Sequence, residues 1–176
     1  MAAPSEQVML SFDAGPARFN FRIVGVALDP ERGRVLLHRA EGDDFWSLPG
    51  GRAELLEPAE ATLRREMREE LGGEIAVKRL LWVVENFFEH AGKSYHELAL
   101  YFLIAFPHDS GLVRADGPFF GWEEGGITLI FQWHPLAALD AIPLYPTFLR
   151  AGLRALPAAP VHVVHTDVKP DAPGAE

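Results

Sequence analysis

The sequence predicts an α/β fold in which helices pack on a mixed β-sheet, and three observations support that prediction. The chain has 176 residues, 48% of them hydrophobic, as expected for one compact domain with a single core. Strand-like and helix-like segments follow in the order strand, strand, loop, helix, three strands and helix. No internal repeat and no linker divides the chain, so we expect one domain over residues 19–156.

The first elements are two strands behind an N-terminal leader. Residues 1–18 contain Pro4, Gly15 and Pro16 and show no sustained periodicity, so we expect a partly flexible leader. From Phe19, the segment FNFRIVGVAL is rich in β-branched and aromatic residues, which is typical of a strand. The segment DPERGR then predicts a turn, and RVLLHRA predicts the returning strand. The glycine-rich segment EGDDFWSLPGG predicts a loop.

A helix is predicted between Pro58 and Gly72. Proline is tolerated in the first turn of a helix, and a glycine pair is a common end to one. Leu63, Met67 and Leu71 recur at positions i, i+4 and i+8, so they form one apolar stripe that is expected to face the core.

The C-terminal half predicts three strands, a long loop and a helix. EIAVKRLLWVVENFFE and SYHELALYFLIAF are typical of two strands joined by a hairpin turn at HAGK. Residues 107–126 are too long and too rich in glycine and proline for a simple turn, so we predict a loop that has a function or is mobile. ITLIFQW predicts a last core strand, and PLYPTFLRAGLRAL predicts a terminal helix. In the tail, residues 157–176, VHVVH predicts a short edge strand followed by disorder.

Composition narrows the classes of function. The 25 acidic and 16 basic residues give a net charge of −9, which disfavours duplex nucleic acid, because that affinity comes from lysine and arginine. No apolar run is long enough for a membrane span, and MAAPSEQVML lacks the regions of a secretory signal. Without cysteine, the chain has no disulfide and no thiolate metal ligand. We therefore expect a cytoplasmic protein whose partner is a small phosphorylated molecule rather than a membrane or a nucleic acid.

The predicted helix carries three carboxylates on adjoining positions of its surface. Glu66, Glu69 and Glu70 are spaced i, i+3 and i+4 and fall within an arc of about 100°. Like charges at that spacing destabilise a helix, whereas a hard divalent cation requires converging oxygen ligands. The alternative interpretation is a solvated helix whose glutamates pair with neighbouring arginines, and the helix alone does not decide between the two.

The surroundings of the helix favour the metal interpretation. Residues 51–73, GRAELLEPAEATLRREMREELGG, resemble the Nudix box: a glycine, five residues, a glutamate, seven residues, then Arg-Glu-aliphatic-x-Glu-Glu-x-Gly-aliphatic. The final aliphatic position departs from the pattern, because it is Gly73, and Ile75 is expected to fill the place of the missing side chain. The positions that match are Gly51, Glu57, Arg65, Glu66, Met67, Glu69, Glu70 and Gly72.

This resemblance implies an α/β/α sandwich with a mixed β-sheet, in which the box forms a loop–helix–loop. It implies Mg²⁺ or Mn²⁺ held by Glu66, Glu69 and Glu70, with the backbone carbonyl of Gly50. Arg65 would orient a glutamate, and Glu57 would support the loop or a second metal. The implied activity is hydrolysis of the pyrophosphate bond of a nucleoside diphosphate linked to another moiety, through attack of water on phosphorus. An ADP-sugar, a dinucleotide polyphosphate and a nucleoside triphosphate all remain candidate substrates.

The general base and the substrate contacts are less closely defined. Crowded carboxylates raise one another's pKa, so one of them can act as the base, and Glu69 and Glu97 are the leading candidates. Glu97 lies in HELAL, which is not a zinc-protease HExxH motif because Leu100 replaces the second histidine. The predicted catalytic set is therefore Glu69, Glu70, Arg65 and Glu97. The candidate substrate-binding residues are Arg39, Glu85, Phe87, Tyr95 and His96.

Two alternatives belong to other functional classes. A non-catalytic Nudix module would sense a nucleotide and bind a protein partner, but such modules tend to lose the glutamates that this box retains. An isoprenoid-diphosphate isomerase on the same fold would need a catalytic cysteine, which this chain lacks. A homodimer remains open. The loop at residues 107–126, with Phe119, Phe120 and Trp122, is predicted to contribute to substrate specificity or to a dimer contact.

Overall fold

The computed structural model describes residues 8–123 and 125–167. The helical segments are α1 (Ala59–Leu71), α2 (Gly111–Arg114), a 3₁₀ helix (Leu136–Ala141) and α3 (Leu149–Gly152). The strands are β1 (Ser11–Ala14), β2 (Ala17–Asp29), β3 (Arg34–Ala40), β4 (Gly50–Arg52), β5 (Ala76–His90), β6 (Lys93–Ala105), β7 (Phe119–Glu123), β8 (Ile127–Pro135) and β9 (Val161–Asp167).

These strands form one mixed sheet in the order β7-β8-β3-β2-β6-β5-β9. Strand β2 pairs parallel with β6, and β5 pairs parallel with β9, whereas the other pairings are antiparallel. The other edge of β2 is shared by three partners in turn: β1, then β4, and finally β3 at Leu28 and Asp29. Most of β3 therefore lies apart from β2, which leaves a split between the two strands. Strand β4 pairs with β2 at this split.

Apolar side chains cover both faces of the sheet, which confirms the predicted α/β class. On one face, Leu63 and Met67 of α1 pack with Ile23 and Leu36. On the other face, the 3₁₀ helix and α3 contribute apolar side chains to a second cluster built around β2, β3 and β6. The terminal helix predicted for PLYPTFLRAGLRAL, residues 143–156, is wrong in extent, because this segment contains only the one-turn helix α3, and the second layer is correspondingly thin. No helix in the part of the chain that the structure describes is long and apolar enough to cross a membrane.

Helix α1 has the predicted ends. Pro58 is in an extended conformation at its N-terminal boundary, and the helix begins at Ala59. Gly72 takes a left-handed conformation with φ of 63°, and its N–H donates to the Arg68 carbonyl at 2.9 Å. This placement gives Glu66, Glu69 and Glu70 the helical spacing from which the metal interpretation started.

The hairpin of β5 and β6 has the predicted turn, with positive φ at Ala91 (49°) and Gly92 (75°). Strand pleating sends alternate side chains of the hairpin to opposite faces of the sheet. Asn86 and Glu97 are paired in register on one face, and Phe87 and His96 are paired on the other. The predicted substrate contacts therefore lie on both faces of the sheet: Phe87 and His96 are on one face, and Tyr95 is on the other.

Both chain ends differ in part from the expectation. Within the predicted leader, Ser11–Ala14 forms β1 and pairs with β2, and β2 begins at Ala17. The stacked rings of Phe12 and Phe19 hold this hairpin, which was too short to show a periodicity in the sequence. The VHVVH segment lies in β9 at the sheet edge. Residues 1–7 of the leader and residues 168–176 of the predicted disordered tail lie outside the described residues.

The segment predicted to be one long loop contains regular structure. Residues 111–114 form the one-turn helix α2, and Phe119–Glu123 forms β7, which pairs with β8 at the sheet edge. The strand escaped prediction because it is short and follows a proline- and glycine-rich stretch. Gly121 of β7 approaches α1 so closely that a side chain at this position would overlap the Glu70 carbonyl. Strand β7 therefore helps to position the part of α1 that carries the glutamates.

Candidate functional site

A cavity of about 780 Å³ lies at the split between β2 and β3. Helix α1 contributes Glu66, Glu69 and Glu70 to its lining, and strand β4 contributes Gly50 and Gly51. The cavity is also lined by Arg22 of β2, by His38 and Arg39 of β3 and by Trp122 of β7. The box glutamates therefore face a cleft that also contains basic side chains.

Glu70 is the least exposed of the three α1 carboxylates that line the cavity, with 7% of its surface accessible. Among the residues that the structure describes, its Oε2 has no hydrogen-bond partner, and neither does His38 Nδ1, which lies 4.0 Å away. Burial, reinforced by the charge of Glu66, raises the pKa of Glu70 to about 8. Burial and the charge of Arg22 lower the pKa of His38 to about 3. Both shifts favour the neutral forms of the two groups over an ion pair in the metal-free protein.

Glu66 lies against Gly51, and the neighbouring Gly50 lies equally close to the β2 backbone. A side chain on Gly51 would overlap the Glu66 carboxylate, and a side chain on Gly50 would overlap the Ile23 carbonyl. Burial raises the pKa of Glu66, and the hydrogen bond from Arg65 opposes that shift. The glycine-rich bend thus brings the backbone of the loop directly against one carboxylate of α1.

Arg65 joins four carboxylates into one cluster. Its guanidinium lies 3.2 Å from Glu54, 2.9 Å from Glu57, 2.8 Å from Glu66 and 3.3 Å from Glu69. Glu57 also accepts a hydrogen bond of 2.7 Å from the Thr62 hydroxyl. The hydrogen bond from Arg65 lowers the pKa of Glu57. Glu57 is thereby hydrogen-bonded to Arg65 and Thr62 and does not line the cavity, contacts that agree with its expected role as a support of the loop.

Arg22 is a central cation that sequence analysis missed. Its Nη2 donates to the Gly50 carbonyl at 3.1 Å and to the Leu48 carbonyl at 3.4 Å, and it lies 3.5 Å from His38 Nε2. Its charge also opposes the rise in the pKa of Glu66 and Glu70. The available signal was an arginine within the apolar strand FNFRIVGV, since a charge in a buried strand requires a partner or a ligand.

The predicted substrate contacts are divided by the structure. Arg39 lines the cavity, where its Nη1 donates to the Asp43 carbonyl at 2.7 Å. Tyr95 lines a second cavity, together with Glu97. Phe87 stacks on His96 on the opposite face of the hairpin, and Glu85 is hydrogen-bonded to His162 at 2.7 Å. None of Glu85, Phe87 and His96 lines either of these two cavities, so the structure does not bring them together with Arg39 or Tyr95.

The box cleft has the chemistry of a divalent-cation site. Among residues 8–123 and 125–167, no three His, Asp or Glu side chains already meet closely enough to hold an ion, and Arg65 engages Glu66 and Glu69. Glu70 nevertheless presents an unpaired, buried carboxyl beside Glu66, an arrangement that is unfavourable without a ligand. Carboxylate and carbonyl oxygens are the donors that Mg²⁺ and Mn²⁺ prefer, so the residues present fit such an ion.

The burial of Glu70 predicts a pH dependence of stability in the metal-free protein. Its carboxyl has a pKa of 4.5 when exposed and about 8 in the fold, so its contribution is fully present below pH 4.5 and is lost as the pH rises to about 8. His38 has the opposite effect below pH 6.5, because its pKa is lowered in the fold. We therefore expect Glu70→Gln to gain stability relative to the wild type, by a few kcal/mol, as the pH rises through this range.

Urea denaturation of both proteins in a chelator at several pH values measures this difference. The histidine contribution is common to the two proteins and cancels when their free energies of unfolding are compared. A difference that stays constant from about pH 5 to about pH 8 would show that Glu70 is not a buried, unpaired acid.

Comparisons with known proteins agree with the fold. The family model of the NUDIX domain matches residues 20–155. A NUDIX hydrolase from Nitrosomonas europaea matches with a TM-score of 0.55 and 14% identity, over 84% of this chain and 79% of that chain. An ADP-ribose pyrophosphatase from Streptococcus suis matches with a TM-score of 0.53 and 15% identity, over 82% and 98% of the two chains. At such identities these two likenesses show the fold alone.

A third solved structure is similar over a smaller part of its length. A UDP-X diphosphatase matches with a TM-score of 0.47 and 22% identity, over 67% of this chain. The chain spans 51% of that protein. A search of curated proteins finds no match.

Proposed function

The chain belongs to the Nudix hydrolase family, and from that membership we propose that it hydrolyses the pyrophosphate bond of a nucleoside diphosphate linked to another moiety. The observation that carries this proposal is the buried, unpaired carboxyl of Glu70 beside Glu66 in a cleft that also holds Arg22. Acidic groups for a cation and a basic group for phosphate oxygens are thereby combined in one site.

We propose that Glu66, Glu69 and Glu70 hold a divalent cation, with the Gly50 carbonyl as a further ligand. Gly50 also accepts a hydrogen bond from Arg22, and a carbonyl oxygen has two lone pairs, so the two roles are compatible. When bound, the cation would neutralise charge on the phosphate oxygens and lower the pKa of the attacking water. Mg²⁺ and Mn²⁺ are the ions that suit these ligands.

The side chains of the cleft have separate proposed roles. Arg22 and Arg39 present guanidinium groups that can bind substrate phosphate oxygens. Arg65 keeps Glu66 and Glu69 in place through hydrogen bonds of 2.8 and 3.3 Å. Arg65 acts on the reaction through these two carboxylates, so it is a positioning residue.

Glu69 is the better placed of the two candidates for the general base. It lines the same cavity as Glu66 and Glu70, and its side chain is 59% exposed, so water can reach it. Glu97 lines the adjoining cavity instead, on the sheet face that carries α3. We therefore propose that Glu69 accepts a proton from the attacking water. The oxygen of that water bonds to phosphorus, and the bond from that phosphorus to the bridging oxygen breaks. The products are two phosphate compounds, and one water is consumed.

Product analysis in ¹⁸O-labelled water tests this function. The expected result is that Mg²⁺ or Mn²⁺ supports cleavage of at least one compound among ADP-sugars, dinucleotide polyphosphates and nucleoside triphosphates. One product should carry a single ¹⁸O on phosphorus, because water attacks that atom. A chelator should abolish turnover, and adding the metal back should restore it.

The main alternative is a nucleotide-sensing module without catalysis. It would be favoured by tight binding of a nucleotide together with no product from any compound in either metal. That outcome would overturn the hydrolase proposal.

A further inference from the structure

A second cavity of about 720 Å³ adjoins the box cleft. The two cavities share Arg22, Phe45 and Ser47 in their linings. The second cavity lies on the sheet face that carries α3, because its lining includes Tyr101 and Val24, whose side chains pack in that core cluster. A ligand held at the box cleft could therefore extend past Arg22 into this second space.

The floor of the second cavity is a row of polar side chains in a place where a core would normally be apolar. Asn20 of β2, Glu97 of β6 and Asn86 of β5 are paired in register across three neighbouring strands. Glu97 is 7% exposed and Asn86 is 4% exposed. Buried amides and carboxyls are nearly always hydrogen-bonded in folded proteins.

Asn86 departs from that rule. In the part of the chain that the structure describes, its buried Oδ1 has no hydrogen-bond partner. Leaving a buried acceptor unpaired is destabilising. An N–H group of a ligand would supply the missing bond, so Asn86 points to a ligand in this cavity.

Glu97 lies beside Asn86 and adds a second polar group to the floor. Burial raises the pKa of Glu97, which favours the neutral acid, and a neutral acid both donates and accepts a hydrogen bond. Two adjacent groups of this kind complement a ring edge on which N–H donors alternate with carbonyl or ring-nitrogen acceptors. Phosphate offers only acceptors, so it matches this floor poorly.

The walls of the second cavity are aromatic. Phe88 and Tyr95 are stacked, with ring centroids 4.8 Å apart and an angle of 4° between the rings. Phe45 and Tyr145 meet edge to face at 5.9 Å. Aromatic rings of this kind can stack on the face of a flat ring such as a nucleobase.

We propose that this second cavity binds the nucleobase of the substrate, with Asn86 and Glu97 hydrogen-bonded to the base edge and the phosphates directed past Arg22 towards the box. This inference rests on the proposed function for the direction of the phosphates, but base binding can be measured without catalysis. It also gives Glu97 a role in substrate recognition in place of the role of general base.

The first test is binding in a chelator, so that no turnover occurs. AMP, GMP, CMP and UMP are titrated into the protein by calorimetry, with ribose 5-phosphate as the probe that lacks a base. We expect at least one nucleotide to bind about tenfold or more tightly than ribose 5-phosphate. Asn86→Leu, which has a similar shape but no hydrogen-bonding groups, should weaken that nucleotide by about 10- to 100-fold and leave ribose 5-phosphate unchanged.

A second variant keeps the test valid if Asn86→Leu does not fold, and a third serves as the control. Asn86→Asp keeps the shape but replaces a donor by an acceptor, so it should change the order of preference among the four nucleotides. Lys78→Gln, on the exposed part of the same strand, is the matched control and should change no binding constant. Far-ultraviolet circular dichroism shows whether each variant is folded.

The outcomes separate this inference from the proposed function. If the four nucleotides bind no better than ribose 5-phosphate, or if both Asn86 variants bind like the wild type, base binding in this cavity is overturned, even when hydrolysis is observed. If base-selective binding is present and depends on Asn86 but no metal supports hydrolysis, the inference stands and the hydrolase proposal fails. In an active protein, the KM of Asn86→Leu should rise by about 10- to 100-fold with little change in kcat.

Discussion

Glu70→Gln is expected to lower kcat/KM by about a thousandfold while the protein remains folded. Glu70 has the most buried carboxyl of the box helix, and its Oε2 has no partner within the described structure. A cation contributes several kcal/mol of charge stabilisation to phosphoryl transfer, and each 1.36 kcal/mol corresponds to a factor of ten in rate. Glutamine keeps the shape of the side chain but not its charge, so the loss should appear mainly in kcat.

Glu60→Gln is the matched control for this substitution. Glu60 lies on the same helix, but its side chain is 57% exposed and pairs only weakly with Arg64, at 3.4 Å. Its kcat/KM should stay within about twofold of the wild type, since exposed pairs contribute little. Steady-state rates on the substrate found in the panel, at saturating Mg²⁺, give the comparison. Equal turnover by Glu70→Gln and the wild type would remove Glu70 from the proposed metal ligands.

Arg65→Ala is expected to lower both stability and activity. The Arg65 side chain is 19% exposed and joins Glu54, Glu57, Glu66 and Glu69, so its removal leaves four neighbouring carboxylates without their shared cation. Removing one partner from a buried charge cluster is strongly destabilising, and for this partly exposed cluster we expect a loss of about 3 kcal/mol in the free energy of unfolding. Because Glu66 and Glu69 also lose their positions, kcat should fall by at least about tenfold in the folded protein.

Urea denaturation and steady-state kinetics measure the two effects of Arg65→Ala separately. Arg65→Lys should recover part of the stability, because the charge is kept, but less of the activity, because an ammonium lacks the planar fork that binds both oxygens of Glu57. Arg68→Ala is the control, since Arg68 is 59% exposed and pairs with Glu74, which is exposed as well. Similar losses of stability in Arg68→Ala and Arg65→Ala would contradict a specific role for the Arg65 cluster.

The box helix could be predicted from the sequence because its determinants are local. Pro58 and Gly72 mark its ends, and the period of 3.6 residues relates Glu66, Glu69 and Glu70 to one another without reference to any other strand. The hairpin turn at Ala91 and Gly92 is local in the same sense. The metal hypothesis therefore needed only residues that are close in the sequence.

The difference between neighbouring glutamates could not be predicted in this way. Glu69 is 59% exposed, whereas Glu70 is 7% exposed, although the two are adjacent on the helix. Their burial depends on β7, whose Gly121 lies directly against the Glu70 backbone, and β7 lies in the segment that sequence analysis took for a loop. Because burial raises the pKa of Glu70, the acid–base chemistry of this residue also depends on that tertiary contact.

The sequence by itself determined the family, the α/β class and the acidic helix of this protein, since each follows from spacing and periodicity within short segments. Only the tertiary structure decided that Arg22 lies between two cavities and that Asn86 and Glu97 form the floor of the second one. The physical reason is that the parallel pairing of β2 with β6 aligns residues that are far apart in the chain, such as Asn20 and Glu97. Which side chains such a pairing leaves buried depends on every layer packed against it, and not on the local pattern.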